Sequence, residues 1–432
     1  MIRTAAAKVQ KKSFVLGIDI NDEKAQVSFM QTGAEQPDTL SVKAGAEEYD
    51  VPVILAREKD GDRWLYGREA VSALDDNRDV VPVKNLLSMA AQGGDRMVDG
   101  ESYDNVSLLS LYLKRLLSLL SMEMDKAEIS AVVFTTADRG RETAEALEQA
   151  AGSILPDCQR IVCQNHEESL YHYMLAQPPE LMNRDVLAFD YDYGALELYD
   201  MRTNHRTKPV VVTVRRAVEK NLDIQKRSVQ DNEERSQWLD EEFLRLCSKV
   251  CSGRIVSTVH LLGKAFTDGW MHRSLEFLCR TRRVFQGDNL FSKGACLSAC
   301  ALVDTSREEG FVLLDEEKLR ANLGITVIRR GEKAYLPLLD AGANWYDAGR
   351  EVDLIHEYGD TLDIHVLPLA GGVPTDATLT LPELPERPAR CTRLRLRADM
   401  VAPDTVRIRV VDMGFGELFP ATEAWSEEMV RV

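Results

Sequence analysis

A chain of 432 residues is too long for one ordinary core, so two or three domains are expected. Hydrophobic residues make up 44% and charged residues 28%, which excludes a disordered chain and fits packed globular domains. The formal net charge of -17 excludes a general binder of nucleic acid or anionic membrane, because both need a positive field.

Met1 to Ser13 is basic and alanine-rich, with neither an apolar core segment nor a cleavage signature. It reads as a frayed arm, and with no export signal the cytoplasm is the expected compartment. Phe14–Ile20 reads as a buried strand carrying the acid Asp19 at its end, and Ala25–Met30 as its hairpin partner. Short strands at Val51–Ala56 and Trp64–Gly67 and a helix at Lys84–Ala91 follow. The most apolar stretch, Ser107–Met122, contains Lys114 and Arg115, so it is the start of an amphipathic helix reaching Lys126 and no membrane insertion is expected. A buried strand at Ile129–Thr135, a helix at Arg139–Ala151, a strand at Arg160–Cys163 and a helix at Glu167–Leu175 complete this region.

At Asp185 the pattern restarts. Val186–Phe189 is a buried strand ending in Asp190, followed by meander strands at Ala195–Met201 and Val210–Val214. A helix at Glu233–Cys251, a strand at Ser257–Leu262 and a helix at Trp270–Leu278 come next. The same theme, an apolar strand ending in Asp and then a hairpin and crossovers, thus occurs twice, as a two-lobed fold with a central cleft requires. An ordinary doubly wound domain is the alternative. From Gly324 the texture changes to short alternating runs at Ile325–Ile328, Asp353–Glu357, Thr361–Pro368, Thr378–Leu381, Thr392–Arg397 and Thr405–Val411, separated by turn residues. They predict a small antiparallel β-domain closed by a helix at Ala421–Val430.

The eight cysteines read as reduced, buried thiols; Cys247/Cys251 and Cys296/Cys300, each four apart, leave a four-thiolate metal site as the alternative. Asp190 and Asp192 form a DxD at a strand end, the pattern of haloacid-dehalogenase-like phosphotransferases, although here nearly half the chain precedes it. His166, Glu167 and His172 do not have HExxH spacing, and neither GxSxG nor GxxxxGK[ST] occurs.

Seven segments, in order, resemble the landmarks of the seventy-kilodalton heat-shock chaperones within the actin-like ATPase superfamily. GIDIN (17–21) resembles the first phosphate loop and LAFDYDYGALELYDM (187–201) the second. VVPVKNLL (80–87) resembles the segment bearing a phosphate-contacting lysine, and AVVFTTADRGRETAEALEQAAGSI (131–154) a strand, turn and helix of the first lobe. NHEESLYHYML (165–175) and NLFSKGACLSACAL (289–302) resemble the two connecting helices, and VHLLGKAFTDGWM (259–271) the adenosine loop. LGITVIRRGEKAYLPLLDAGANW and VVDMGFGELFP resemble the start and end of a chaperone-like β-domain.

The resemblance implies an α/β two-lobed actin-like ATPase fold, with ribonuclease-H-like lobes at 14–184 and 185–323 and a β-domain at 324–432. It implies ATP and Mg2+ as cofactors, with Asp19 and Asp190 as metal ligands and Lys84, Glu167 and Asp190 as catalytic residues. Gly17, Asn21, Asp192, Gly194, Gly263 and Lys264 would bind the nucleotide. A protein or peptide client would engage the β-domain, without the family's helical lid. Both phosphate loops depart from the family pattern: DxGTT becomes Asp19-Ile20-Asn21-Asp22-Glu23, and DxGGGT becomes Asp190-Tyr191-Asp192-Tyr193-Gly194-Ala195. Carboxylates so placed repel phosphate by about 1 kcal/mol or more each. Three functions therefore stay open: a chaperone-like ATPase, a scaffold that has lost nucleotide binding, and an actin-type filament protein.

Overall fold

The computed structural model describes residues 13–432 except 44, 46, 60–62, 123–127, 138–139, 224–231, 305–309 and 370. The arm expected at residues 1–12, the end of the helix expected to reach Lys126 and the start of the helix expected from Arg139 lie outside the described residues. The chain divides into two units, Met1–Met201 with Arg216–Glu309, and Arg202–Arg215 with Gly310–Val432.

In the first unit, two sheets repeat one topology. Strand Ser13–Ile20 pairs antiparallel with the next strand, Lys24–Gln31, and parallel with Glu128–Thr136, which pairs parallel with Arg160–Asn165. Strand Asp185–Asp190 likewise pairs antiparallel with Leu196–Asn204 and parallel with Val256–Leu262, which pairs parallel with Arg283–Gln286. Parallel neighbours need crossovers, and the intervening segments supply helices Asn105–Ser118 and Asn232–Cys251. Each first strand is nearly all buried, as a strand covered on both faces must be.

Helices His166–Leu175 and Leu290–Val303 cross closely because Gly294 has no side chain. A Cβ there would lie 2.0 Å from the Ser169 carbonyl oxygen. The second helix also covers strand Ser13–Ile20, where a Cβ on Gly17 would meet the Cys296 nitrogen at 2.1 Å.

The second unit is a sandwich of two four-stranded antiparallel sheets. One has Ala321–Arg329 between Glu332–Leu339 and Thr361–Pro368, with Thr375–Thr380 outside. The other runs Gly349–His356, Thr392–Ala402, Thr405–Asp412, Trp425–Arg431. Ile325, Ile364 and Val366 from one sheet and Leu396, Ile408 and Val410 from the other share one core.

Two expectations are corrected. The closing helix at Ala421–Val430 is instead the strand Trp425–Arg431. Its backbone completes the ladder of Thr405–Asp412 and Val430 enters the core, so long-range pairing overrides the local pattern. A single boundary at 323/324 does not hold either. Phe311–Leu313 belongs to the second unit and pairs parallel with Val210–Val212, which brings residues 202–215 with it. Among the described residues no helix is long and apolar enough to cross a membrane.

Candidate functional site

The two strand-end acids of the first unit meet around His166. His166 opens its helix, which Asn165 caps by accepting the Glu168 N–H at 2.8 Å. The imidazole is buried and stacks on Phe291, with ring centroids 3.9 Å apart. Its Nε2 lies 2.9 Å from Asp19 Oδ1 and its Nδ1 3.0 Å from the Tyr199 hydroxyl. Tyr199 donates its single proton to Glu197 Oε2 at 2.6 Å. The Tyr199 oxygen therefore accepts from Nδ1, and Nε2 donates to the Asp19 carboxylate. This arrangement favours the imidazolium form of His166, with a proton on each ring nitrogen. Burial works against that charge, but Asp19, Asp190 and Glu197 outweigh it and raise the His166 pKa above the ordinary imidazole value. Arg216 completes the chain, donating from Nε and Nη2 to Glu197 at 3.0 and 2.6 Å and from Nη1 to the Ala137 carbonyl at 2.8 Å.

Asp190 differs from Asp19. Among the described residues its carboxylate has no hydrogen-bond or ion-pair partner. Burial, reinforced by Asp192 and Glu197, pushes its pKa up to about 7 against the pull of Lys24 and His166. Ligand atoms of His166, Asp190 and Glu197 lie within 4.8 Å of one another. As an imidazolium, His166 has no lone pair to offer a metal. That leaves two carboxylates, a donor set suited to a hard cation such as Mg2+.

The two loops that resemble phosphate loops are joined by the protein's own charges. Lys24 Nζ meets Asp192 Oδ2 at 2.6 Å, and Asp192 Oδ1 accepts the Lys264 N–H at 2.7 Å. Lys264 Nζ meets Asp50 Oδ2 at 2.7 Å, while Gln26 donates to Asp50 Oδ1 at 2.8 Å. Burial opposes the charge on Lys24, yet Asp192, Asp50 and Asp190 hold its pKa above the ordinary lysine value. Asp288 accepts the Gly263 N–H at 2.9 Å, and burial together with Asp50 and Asp192 raises its pKa.

The remaining residues expected from the sequence also have protein partners or stand apart. Gly17 makes room for helix backbone. Asn21 closes its own turn, its Oδ1 accepting the Glu23 and Lys24 N–H groups, both at 2.8 Å. Asp22 accepts the Leu87 and Ser88 N–H groups at 2.9 and 3.1 Å, so a carboxylate already sits at the N-terminus of helix Leu86–Gln92. Lys84, just before that helix, is exposed. Glu167 lies half-buried in the first turn of its helix. Gly194 has open space around it and no need to be glycine, whereas Tyr193 takes the left-handed conformation at φ 63. Gly263 does need to be glycine: its φ is 93, and a Cβ would lie 2.4 Å from the Tyr191 carbonyl oxygen.

Sequence reasoning did not assign roles to Lys24, Asp50, His166, Glu197, Tyr199, Arg216 or Asp288. The signal was faint: Glu197 and Tyr199 alternate along one strand and share a face, and Arg216 sits in a strand of the same meander. The four-thiolate alternative fails, because Cys247 and Cys251 pack with Phe243 while Cys296 and Cys300 pack with Val15 and Met30 in a separate core.

A search of curated proteins finds no match to the chain. Residues 318–432 match a domain of unknown function, DUF8552. Residues 36–316 match the C-terminal model of the family of unknown function DUF5716, and the chain belongs to that family.

Proposed function

We propose that this protein is a cytoplasmic, chaperone-like scaffold of the actin-like fold class that has given up nucleotide binding and contacts a protein partner through its second unit. The duplicated sheets of the first unit and the crossing of its two helices support the fold reading. The free cysteines fit a reducing compartment. One observation carries the loss of nucleotide binding. Lys24 pairs with Asp192 across the two loops, Lys264 pairs with Asp50 beside them, and Asp22 caps the helix that a phosphate would otherwise meet. A nucleotide would have to displace these pairs and approach an excess of carboxylates.

Thermal unfolding with millimolar Mg-ATP or Mg-GTP tests this reading. No change in melting temperature is expected. A ligand at 100 times its dissociation constant would add about 2.7 kcal/mol, so a rise of several degrees would overturn the proposal.

Asp190 favours a second reading. A carboxylate without a donor, beside Glu197, fits a divalent cation that would hold a nucleotide's phosphates. In that case melting would rise with Mg-ATP, and Asp190→Ala would abolish the rise.

A further inference from the structure

The outer face of one sheet of the second unit joins a hydroxyl, an imidazole and a carboxylate in series. In strand Ala321–Arg329, Gly324 and Thr326 are two residues apart, so they share the face turned away from the core that Ile325 enters. Gly324 is the register partner of His365, and His365 that of Asp376, so three neighbouring strands bring Thr326, His365 and Asp376 together. His365 Nδ1 lies 2.7 Å from Asp376 Oδ1, and its Nε2 lies 2.8 Å from Thr326 Oγ1. An ionised carboxylate only accepts, so Nδ1 carries the proton; in the neutral ring Nε2 then accepts from the Thr326 hydroxyl.

A fourth group faces the same spot. Tyr335 is the register partner of Thr326 on the neighbouring strand Glu332–Leu339. A Cβ on Gly324 would lie 2.5 Å from the Tyr335 hydroxyl oxygen, so the ring leans over the glycine, with its centroid 6.5 Å from that of His365. Among the described residues that hydroxyl has no hydrogen-bond partner. Burial and Asp340 raise its pKa, so it keeps its proton at neutral pH and is free to donate to an oxyanion.

A hydroxyl bonded to a base that a third group orients, with a free donor beside it, is the arrangement that acyl transfer uses. We infer that this face of the second unit hydrolyses small neutral esters, with Thr326 as nucleophile, His365 as general base and Tyr335 as oxyanion donor. Asp376 is a positioning residue that holds the imidazole tautomer. The Thr326 oxygen bonds the acyl carbon while its proton passes to His365 Nε2; the bond to the alcohol oxygen then breaks, and the alcohol leaves with that proton. Water next attacks the acyl-threonine and gives a proton to Nε2; the carboxylic acid departs, and the Thr326 oxygen recovers the proton. Asp363, two residues before His365 on the same face, and Asp376 disfavour an anionic substrate. The Tyr335 ring and the exposed Ile328 offer apolar surface to the acyl chain. This activity stands apart from the nucleotide question and from the partner contact.

Turnover of p-nitrophenyl acetate by the full chain tests it, together with labelling by an alkyl fluorophosphonate, at whose phosphorus an activated hydroxyl displaces fluoride. Saturable hydrolysis is expected, with the label found on Thr326 by peptide mass spectrometry and absent from His365→Gln. Thr326→Val, His365→Gln and Tyr335→Phe should each lower kcat/KM on the order of a hundredfold, with melting unchanged. Thr326→Ser keeps the hydroxyl and should retain turnover, and Thr380→Val, on the same sheet but outside the relay, should leave it unchanged. Asp376→Asn should lower the rate and shift the pH–rate profile, which a merely structural role would leave in place. Hydrolysis that does not saturate overturns the inference. So does a label confined to other residues, or wild-type turnover in Thr326→Val or His365→Gln.

Discussion

At the scale of single residues, the cluster of acids around His166 is governed by protons. Asp190 has a folded pKa of about 7, raised mainly by burial, whereas an unfolded aspartate titrates near 3.8. Between those values the folded state binds the proton that the unfolded chain has released, so stability falls as pH rises and levels off above about 7. Asp190→Asn should therefore raise stability at pH 8 by roughly 2–4 kcal/mol and change little at pH 4. Melting curves of both proteins across pH check this, and equal shifts at the two ends would refute it. His166 acts in the same direction. Its raised pKa contributes stability that is fully present below the ordinary imidazole range and lost as pH rises through the folded value. His166→Gln should flatten the pH dependence just above neutrality. Neither shift was legible in the sequence, because the Asp190 shift depends mainly on burial and the His166 shift on carboxylates brought from strands of both sheets.

At the scale of elements, two contacts decide how helices seat. The crossing of His166–Leu175 and Leu290–Val303 needs Gly294, and Gly294→Ala should cost on the order of 1–3 kcal/mol, read as a lower urea midpoint at unchanged slope. The sequence showed that both helices exist but not that they touch, since a glycine inside a helix signals close packing without naming the neighbour. Asp22 holds the first turn of Leu86–Gln92, and Asp22→Ala should cost about 1 kcal/mol in melting experiments. A gain in stability would mean that repulsion from neighbouring carboxylates outweighs the cap. From the sequence alone, Asp22 and Glu23 read only as charges hostile to phosphate. That Asp22 occupies a helix terminus itself requires residues 65 and 66 positions away. The closing segment teaches the reverse. Ala421–Val430 has a helical pattern, but the open ladder of Thr405–Asp412 takes it as a strand.

At the scale of the whole molecule, the second unit has a core built almost wholly from residues after 318. The fragment Gly310–Val432 should keep its β-type circular dichroism and melt cooperatively, although Phe311–Leu313 loses its parallel partner. A non-cooperative melt would show that residues 202–215 are required for folding. Charge at this scale favours the scaffold reading: in a chain of net -17, Lys24 and Lys264 are already committed to carboxylates.

The sequence by itself determined the order of elements, the two strands ending in Asp19 and Asp190, and the change to β-structure near residue 324. Each of these follows from local periodicity and turn chemistry, which are short-range properties. Tertiary structure alone decided that Asp19 bonds His166 with Asp190 close by, that Lys24 and Lys264 pair with Asp192 and Asp50, and that residues 202–215 cluster with the second unit. Those outcomes rest on pairings between residues more than a hundred positions apart, such as Lys24 with Asp192 and Asp19 with His166. Periodicity carries no record of which distant partner a side chain will meet.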